Sequence, residues 1–210
     1  MPADGDLWVS YSVNKEDMWI SRIPVPVEIN ASAHADDDFS KNKSIAELTD
    51  WNIYSPVWAP VSLEDQWLKL QDKDPFDYAK VERKIPASKE LKVSFDLKAG
   101  QNNKGTLHIE FLDENGIACS RIELTDDGIF RLKGGSRFAN MMKYEAGKIY
   151  HVEAVLSTVD RNIQVYVDGK RVGLRMFYAP VAAVERIVFR TGVPRTFPTV
   201  DTPADQTYDP

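Results

Sequence analysis

The stretch from Tyr150 to Val172, YHVEAVLSTVDRNIQVYVDGKRV, constrains the fold of this chain more than any other. In its first half Val152 and Ala154, with Leu156 or Val155, set an apolar beat. In its second half Ile163, Val165 and Val167 alternate with Asn162, Gln164 and Tyr166. Successive side chains of a strand point to opposite faces, so this period predicts two strands that each lay one face on a core. A short polar turn joins them. Asp168-Gly169 then closes the second strand with a tight-turn signal, because glycine takes φ > 0 at no steric cost.

The same period recurs along the chain. Leu91, Val93, Phe95 and Leu97 form an apolar face opposite Lys92, Ser94 and Asp96. Further runs cover Trp51–Tyr54, Trp67–Leu70, Ala79–Ile85, Leu107–Leu112, Ile117–Leu124, Ile129–Leu132, Leu174–Tyr178 and Val184–Arg190. Turn residues separate them, including Asn115-Gly116 and Asp127-Gly128. Ala139 to Glu145 reads as a single helical turn, too short to change the class. Roughly ten short strands with so little helical pattern predict an all-β, two-sheet antiparallel sandwich from Leu48 to Arg190.

Composition narrows the function classes. Of 210 residues 43% are hydrophobic and 28% charged, enough apolar material for a core. The net charge is −6 and the sequence contains no basic stripe, which argues against nucleic acid as a partner. No apolar run approaches the roughly 20 residues of a membrane span. Cys119 is the only cysteine, so no internal disulfide can form, and its strand setting marks it as a small core residue. The first residues carry neither the basic nor the apolar region of a signal peptide.

Ahead of the sandwich, Asp6–Ser12 and Met18–Ile23 read as two strands around a turn at Asn14–Asp17, ended by Pro24 and Pro26. An isolated hairpin is marginal in water, and Trp8 and Trp19 ask for a neighbouring apolar surface. Asn30 to Ser44 is polar, charged and aperiodic, a linker signal. The expected organisation is a hairpin over 1–29, a linker over 30–47, the sandwich over 48–190 and an extended tail over 191–210 that is rich in Pro, Thr and Asp.

Two resemblances bear on function. The pattern of aromatic-His-Val, turn, Val-Tyr-Val-Asp-Gly in 150–169 resembles the laminin-G or concanavalin-like jelly-roll family. The string DLWVSYSVNKEDMWISRIPVPV resembles the last blade of bacterial β-propeller enzymes of the sialidase-like and polysaccharide-lyase-like group. Together they imply a jelly-roll module that binds carbohydrate or buttresses a neighbouring propeller, in a longer and exported polysaccharide-degrading protein. The sialidase motif Ser-x-Asp-x-Gly-x-Thr-Trp is absent, and so is a recognisable arginine triad, so no catalytic residue carries over. Two other readings stand beside this one. The chain contributes to a glycosidase or lyase active site at the propeller–sandwich boundary, or it is purely structural.

Sugars stack their C–H faces on aromatic rings and need hydrogen bonds for their hydroxyls. Trp58, in a loop between Pro56 and Pro60, is the leading candidate for an exposed ring, with Tyr54, Trp67 and Tyr78 beside it. Glycoside hydrolysis needs a facing carboxylate pair. Glu110, Asp113, Glu123 and Asp126 instead read as turn residues or a solvated sheet face. No cofactor is implied. A structural Ca²⁺, which takes six to eight oxygens, has candidate donors in Asp36 and Asp38 and in Asp72 and Asp74, although neither set matches an EF-hand. His34, His108 and His151 lie too far apart in sequence for a zinc motif.

Overall fold

The computed structural model describes residues 5–13, 17–25, 35–74 and 77–192. The expected turn at 14–16, the start of the linker at 30–34 with His34, and the tail from 193 onward lie outside the described residues. The chain divides between residues 32 and 33 into two compact units. The first holds an antiparallel hairpin of β1 (Gly5–Val13) and β2 (Asp17–Val25). Register sets Trp8 opposite Arg22, and Arg22 Nε lies 2.8 Å from Asp6 Oδ2.

The second unit is an antiparallel sandwich. Its strands are β3 (Trp51–Tyr54), β4 (Val61–Glu64), β5 (Trp67–Leu70), β6 (Lys80–Ser88), β7 (Glu90–Lys98), β8 (Leu107–Leu112) and β9 (Ala118–Leu124). They continue with β10 (Ile129–Gly134), β11 (Arg137–Lys143), β12 (Ile149–Ser157), β13 (Asn162–Val167), β14 (Lys170–Met176) and β15 (Val184–Thr191). A seven-stranded sheet runs β11-β10-β9-β8-β15-β6-β3, a four-stranded sheet runs β14-β13-β12-β7, and β4 and β5 pair by themselves. Among the described residues no helix is long and apolar enough to cross a membrane.

The period of two delivers the core. Ile109 and Phe111 on β8, Ile122 on β9, and Phe130 and Leu132 on β10 face Val152, Ala154 and Leu156 on β12 and Ile163 and Val165 on β13. All ten are completely buried. Phe95 on β7 meets Phe189 on β15 edge-on at 5.1 Å, an aromatic contact that joins the two sheets. A smaller cluster of Ala59, Val61, Ala79 and Val81 packs with Trp51, Ile53, Leu68 and Leu70 beneath the β4–β5 hairpin.

The turns follow their chemistry. Asp168 and Gly169 take φ of 49° and 75° and join β13 to β14 as a two-residue hairpin. Asp65 and Gln66, at 50° and 68°, do the same between β4 and β5 without a glycine. One expectation is corrected: Ala139 to Glu145 holds no helical turn. Residues 137–143 are the edge strand β11, paired with β10 around a bulge at Phe130/Arg131. The helix-like spacing of Phe138, Met141 and Met142 comes from that strand's irregular register, because a bulge breaks the alternation a regular strand would show.

Candidate functional site

The inner face of the seven-stranded sheet is apolar, and its outer face is charged. Register aligns the outer residues in rows across the strands. One row runs Tyr54, Lys80, Arg190, His108, Glu123, Arg131 and Asn140, from β3 to β11. The next runs Asn52, Glu82, Val188, Glu110, Arg121, Lys133 and Phe138. Arg186, level with Lys84 and Leu112, begins a third. These residues lie far apart in sequence, and strand pairing brings them into contact.

Ion pairs knit the face together. Arg121 holds Glu110 through Nε and Nη2, both at 2.7 Å from Oε1. Glu123 sits at the centre, 2% exposed, with Arg131 Nε at 2.5 Å, His108 Nδ1 at 3.2 Å and Arg121 Nη1 at 3.6 Å. Burial by itself pushes the Glu123 carboxyl up. The neighbouring His108 and the Arg131 guanidinium outweigh this and hold it below the ordinary carboxylate range. Lys80 and Arg186 both reach Glu82, at 3.0 and 3.4 Å. Glu110 and Glu123, read from sequence as solvated, are therefore enclosed by cations. Asp113 is also buried, and its carboxylate accepts from the backbone N–H groups of Asn115 and Ile117 in the β8–β9 turn.

Aromatic rings flank the charges. Arg121 and Lys133 stand 5.9 and 5.0 Å from the Tyr178 ring centroid. Arg131 and Lys133 stand 4.3 and 5.1 Å from that of Phe138. On the opposite side Arg190 lies 5.1 Å from the Tyr78 ring. Between them opens a groove of about 300 Å³, with Lys80, Glu110, Arg121 and Arg190 along it and Tyr78 on its wall.

The structure brings two of the four predicted aromatics together. Tyr54 and Tyr78 pack with ring centroids 5.3 Å apart, and the Tyr54 hydroxyl donates to Asp77 Oδ2 at 2.8 Å. Trp58 occupies the turn closed by Ala59 N–H to the Pro56 carbonyl and is 66% exposed. Trp67, on β5, is half-buried opposite Glu64. Neither tryptophan makes a ring contact with the tyrosine pair among the described residues. Trp51 belongs to the smaller core, packed against Phe39 and Phe189.

The Asp38 and Asp72 carboxylates, two of the candidate metal donors, have protein partners. Asp38 accepts from the hydroxyl and amide of Ser40, and these bonds hold its carboxyl below the ordinary range. Asp36 is exposed. Asp72 accepts from the Thr191 hydroxyl at 2.8 Å and the Asp74 amide at 2.9 Å. Burial first, and then the nearby Asp74 and Asp77 carboxylates, raise the Asp72 pKa against those bonds. Among the described residues no group of three or more His, Cys, Asp or Glu is arranged to hold a metal.

Sequence reading missed the cationic face. The available signal was the polar parity of β9, β10 and β15, which carries Arg121, Arg131, Lys133, Arg186 and Arg190. Only the strand order shows that these residues share one surface.

Comparison with known proteins sharpens the picture. No curated protein matches the chain. Among solved structures, one titled "Sialidase" is 89% identical over 100% of this chain, with a TM-score of 0.86. The chain spans 19% of that protein's length. A second, "Apo Crh5 transglycosylase", is 12% identical, covers 77% of this chain and 69% of its own, and has a TM-score of 0.59, a likeness of fold alone. The family model described as "Sialidase-like, CBM domain", where CBM denotes a carbohydrate-binding module, matches residues 51–206, the strands of the sandwich included. The chain belongs to that sialidase-like carbohydrate-binding-module family.

Proposed function

We propose that the sandwich is a non-catalytic accessory module that binds carbohydrate beside the catalytic part of an exported, sialidase-like protein. One observation carries this reading: the Tyr78 ring, packed against Tyr54, borders a groove that also presents Lys80, Glu110, Arg121 and Arg190. Rings supply stacking surface and the polar side chains supply hydrogen-bond partners, the combination a sugar needs. Trp58 adds an exposed ring on the loop between β3 and β4. The 89% identity to part of a sialidase supports the setting. A neighbouring propeller, which the resemblance of the first thirty residues implies, belongs to the same proposal.

The carboxylates of the face favour binding over hydrolysis. A glycosidase acid needs a raised pKa and a partner across a cleft. Glu123 is instead held deprotonated by its cations, and Glu110 is clamped by Arg121.

A glycan-array screen of the whole chain, with and without Ca²⁺, tests the proposal. Binding to one polysaccharide class is expected, weakened about tenfold in Tyr78→Ala or Trp58→Ala, the scale of one lost stacking contact. A folded protein that binds no glycan would point to interdomain packing instead.

A further inference from the structure

We infer that the groove on the outer face of the seven-stranded sheet takes an anionic sugar, held through its carboxylate or sulfate. This deepens the carbohydrate-binding reading and rests on it. Three observations support it. The first is charge. The protein has a net charge of −6, yet among the described residues this face gathers seven Lys and Arg side chains, Lys84 included, against three carboxylates, Glu82, Glu110 and Glu123. A local surplus opposite in sign to the molecule's net charge concentrates ligands of the complementary charge.

The second is where the negative charge lies. Glu123 is 2% exposed and shared among His108, Arg121 and Arg131, so it positions cations and presents little carboxylate outward. The third is Lys133, which stands beside the groove, level with Arg121 across the β9–β10 pair. Its ammonium lies about equally far from the Phe138 and Tyr178 rings, at 5.1 and 5.0 Å, and no carboxylate pairs with it among the described residues. Ring faces stabilise a cation but do not neutralise it, so its charge remains for a ligand. Arg121, beside it in the β9–β10 register, is held on Glu110 through Nε and Nη2, so its positive charge is fixed at the groove. The groove volume, about 300 Å³, is at the lower end for a small-ligand site and suits a sugar ring.

Isothermal titration of the whole chain tests this against sialyllactose, oligogalacturonate, a chondroitin sulfate oligosaccharide, a neutral β-glucan and a single-stranded oligonucleotide. Each is run at about 0.05 M and about 0.5 M NaCl, which changes the screening length several-fold. The expected result is binding of at least one acidic glycan, weakened by salt. The first two arms separate a sialic carboxylate from a uronate, and the third identifies a sulfate. Lys80→Gln and Lys133→Gln should each weaken it about tenfold, the scale of one charged hydrogen bond. Glu110→Gln should tighten it, because it releases the Arg121 guanidinium. If that variant does not fold, Lys133→Gln decides, and unchanged affinity there overturns the inference.

A neutral glycan bound as tightly as the acidic ones, and insensitive to salt, overturns this inference and leaves the module reading standing. Absence of all glycan binding overturns both. Oligonucleotide binding equal to the best acidic glycan overturns it too, because the face would then be a patch for any polyanion.

Discussion

Glu123 Oε1 stands 3.2 Å from His108 Nδ1, and both side chains are enclosed although they belong to the outward face of their sheet. Long neighbours on β9, β10 and β15 close over them. A buried carboxylate survives only with its cations, and removing one partner of such a set costs several kcal/mol. Glu123→Gln should therefore lower unfolding stability by about 3 kcal/mol at neutral pH. The pH dependence has a definite sign. Held below its ordinary value of 4.5, the folded carboxyl contributes stability that is full above that pH and lost as pH falls through the folded pKa. Urea midpoints measured from neutral to about pH 3 should drop steeply in the parent and less so in the variant. Parallel curves would mean that Glu123 carries no such linkage.

Cys119 presents a second, simpler test. It is completely buried, and desolvation pushes its thiol up to about 12. The thiolate is the reactive form, so a maleimide at pH 8 should leave the native protein unlabelled and modify it in denaturant. Rapid native labelling would show that β9 opens far more readily than its packing implies.

Gly134, on β10, packs tightly against Arg175 on β14 of the other sheet. A Cβ built there meets Arg175 Cβ at 2.5 Å and Cγ at 2.9 Å. The backbone of β14 fixes that Cβ, so a strand must move. Gly134→Ala should cost about 1–3 kcal/mol by thermal or urea unfolding. Gly100→Ala, where an added methyl meets nothing within 4 Å, is the control and should change stability by less than about 0.5 kcal/mol.

The Asp72 turn offers a test for calcium. Its carboxylate is committed to Thr191 and the Asp74 amide, and its raised pKa reports crowding by Asp74 and Asp77 after burial itself. Added Ca²⁺ followed by EDTA should leave the melting temperature unchanged. A drop of several degrees on chelation, abolished in Asp72→Asn, would place a cation in this turn, since an ion bound only by the folded state raises its stability.

The local pattern of this chain determined its strands, most of its turns and its inner faces. Val152, Ala154, Ile163 and Val165 alternate because a strand has a period of two, and Asp168-Gly169 turns because its backbone conformation demands it. These are properties of neighbouring residues, legible wherever the chain is read. The exposure of Trp58 belongs here too, since prolines on both sides keep its loop out of the ladder. Sequence reading was misled at β11, where a bulge disturbs the beat, and at Glu123, where polar parity looks solvated. The tertiary structure alone decided the charged face. Lys80, Arg190, His108, Glu123 and Arg131 come from five strands, and only the order β10-β9-β8-β15-β6 sets them side by side. Charge effects act through space over a few ångströms, so a chain with no basic run still folds into a cationic groove.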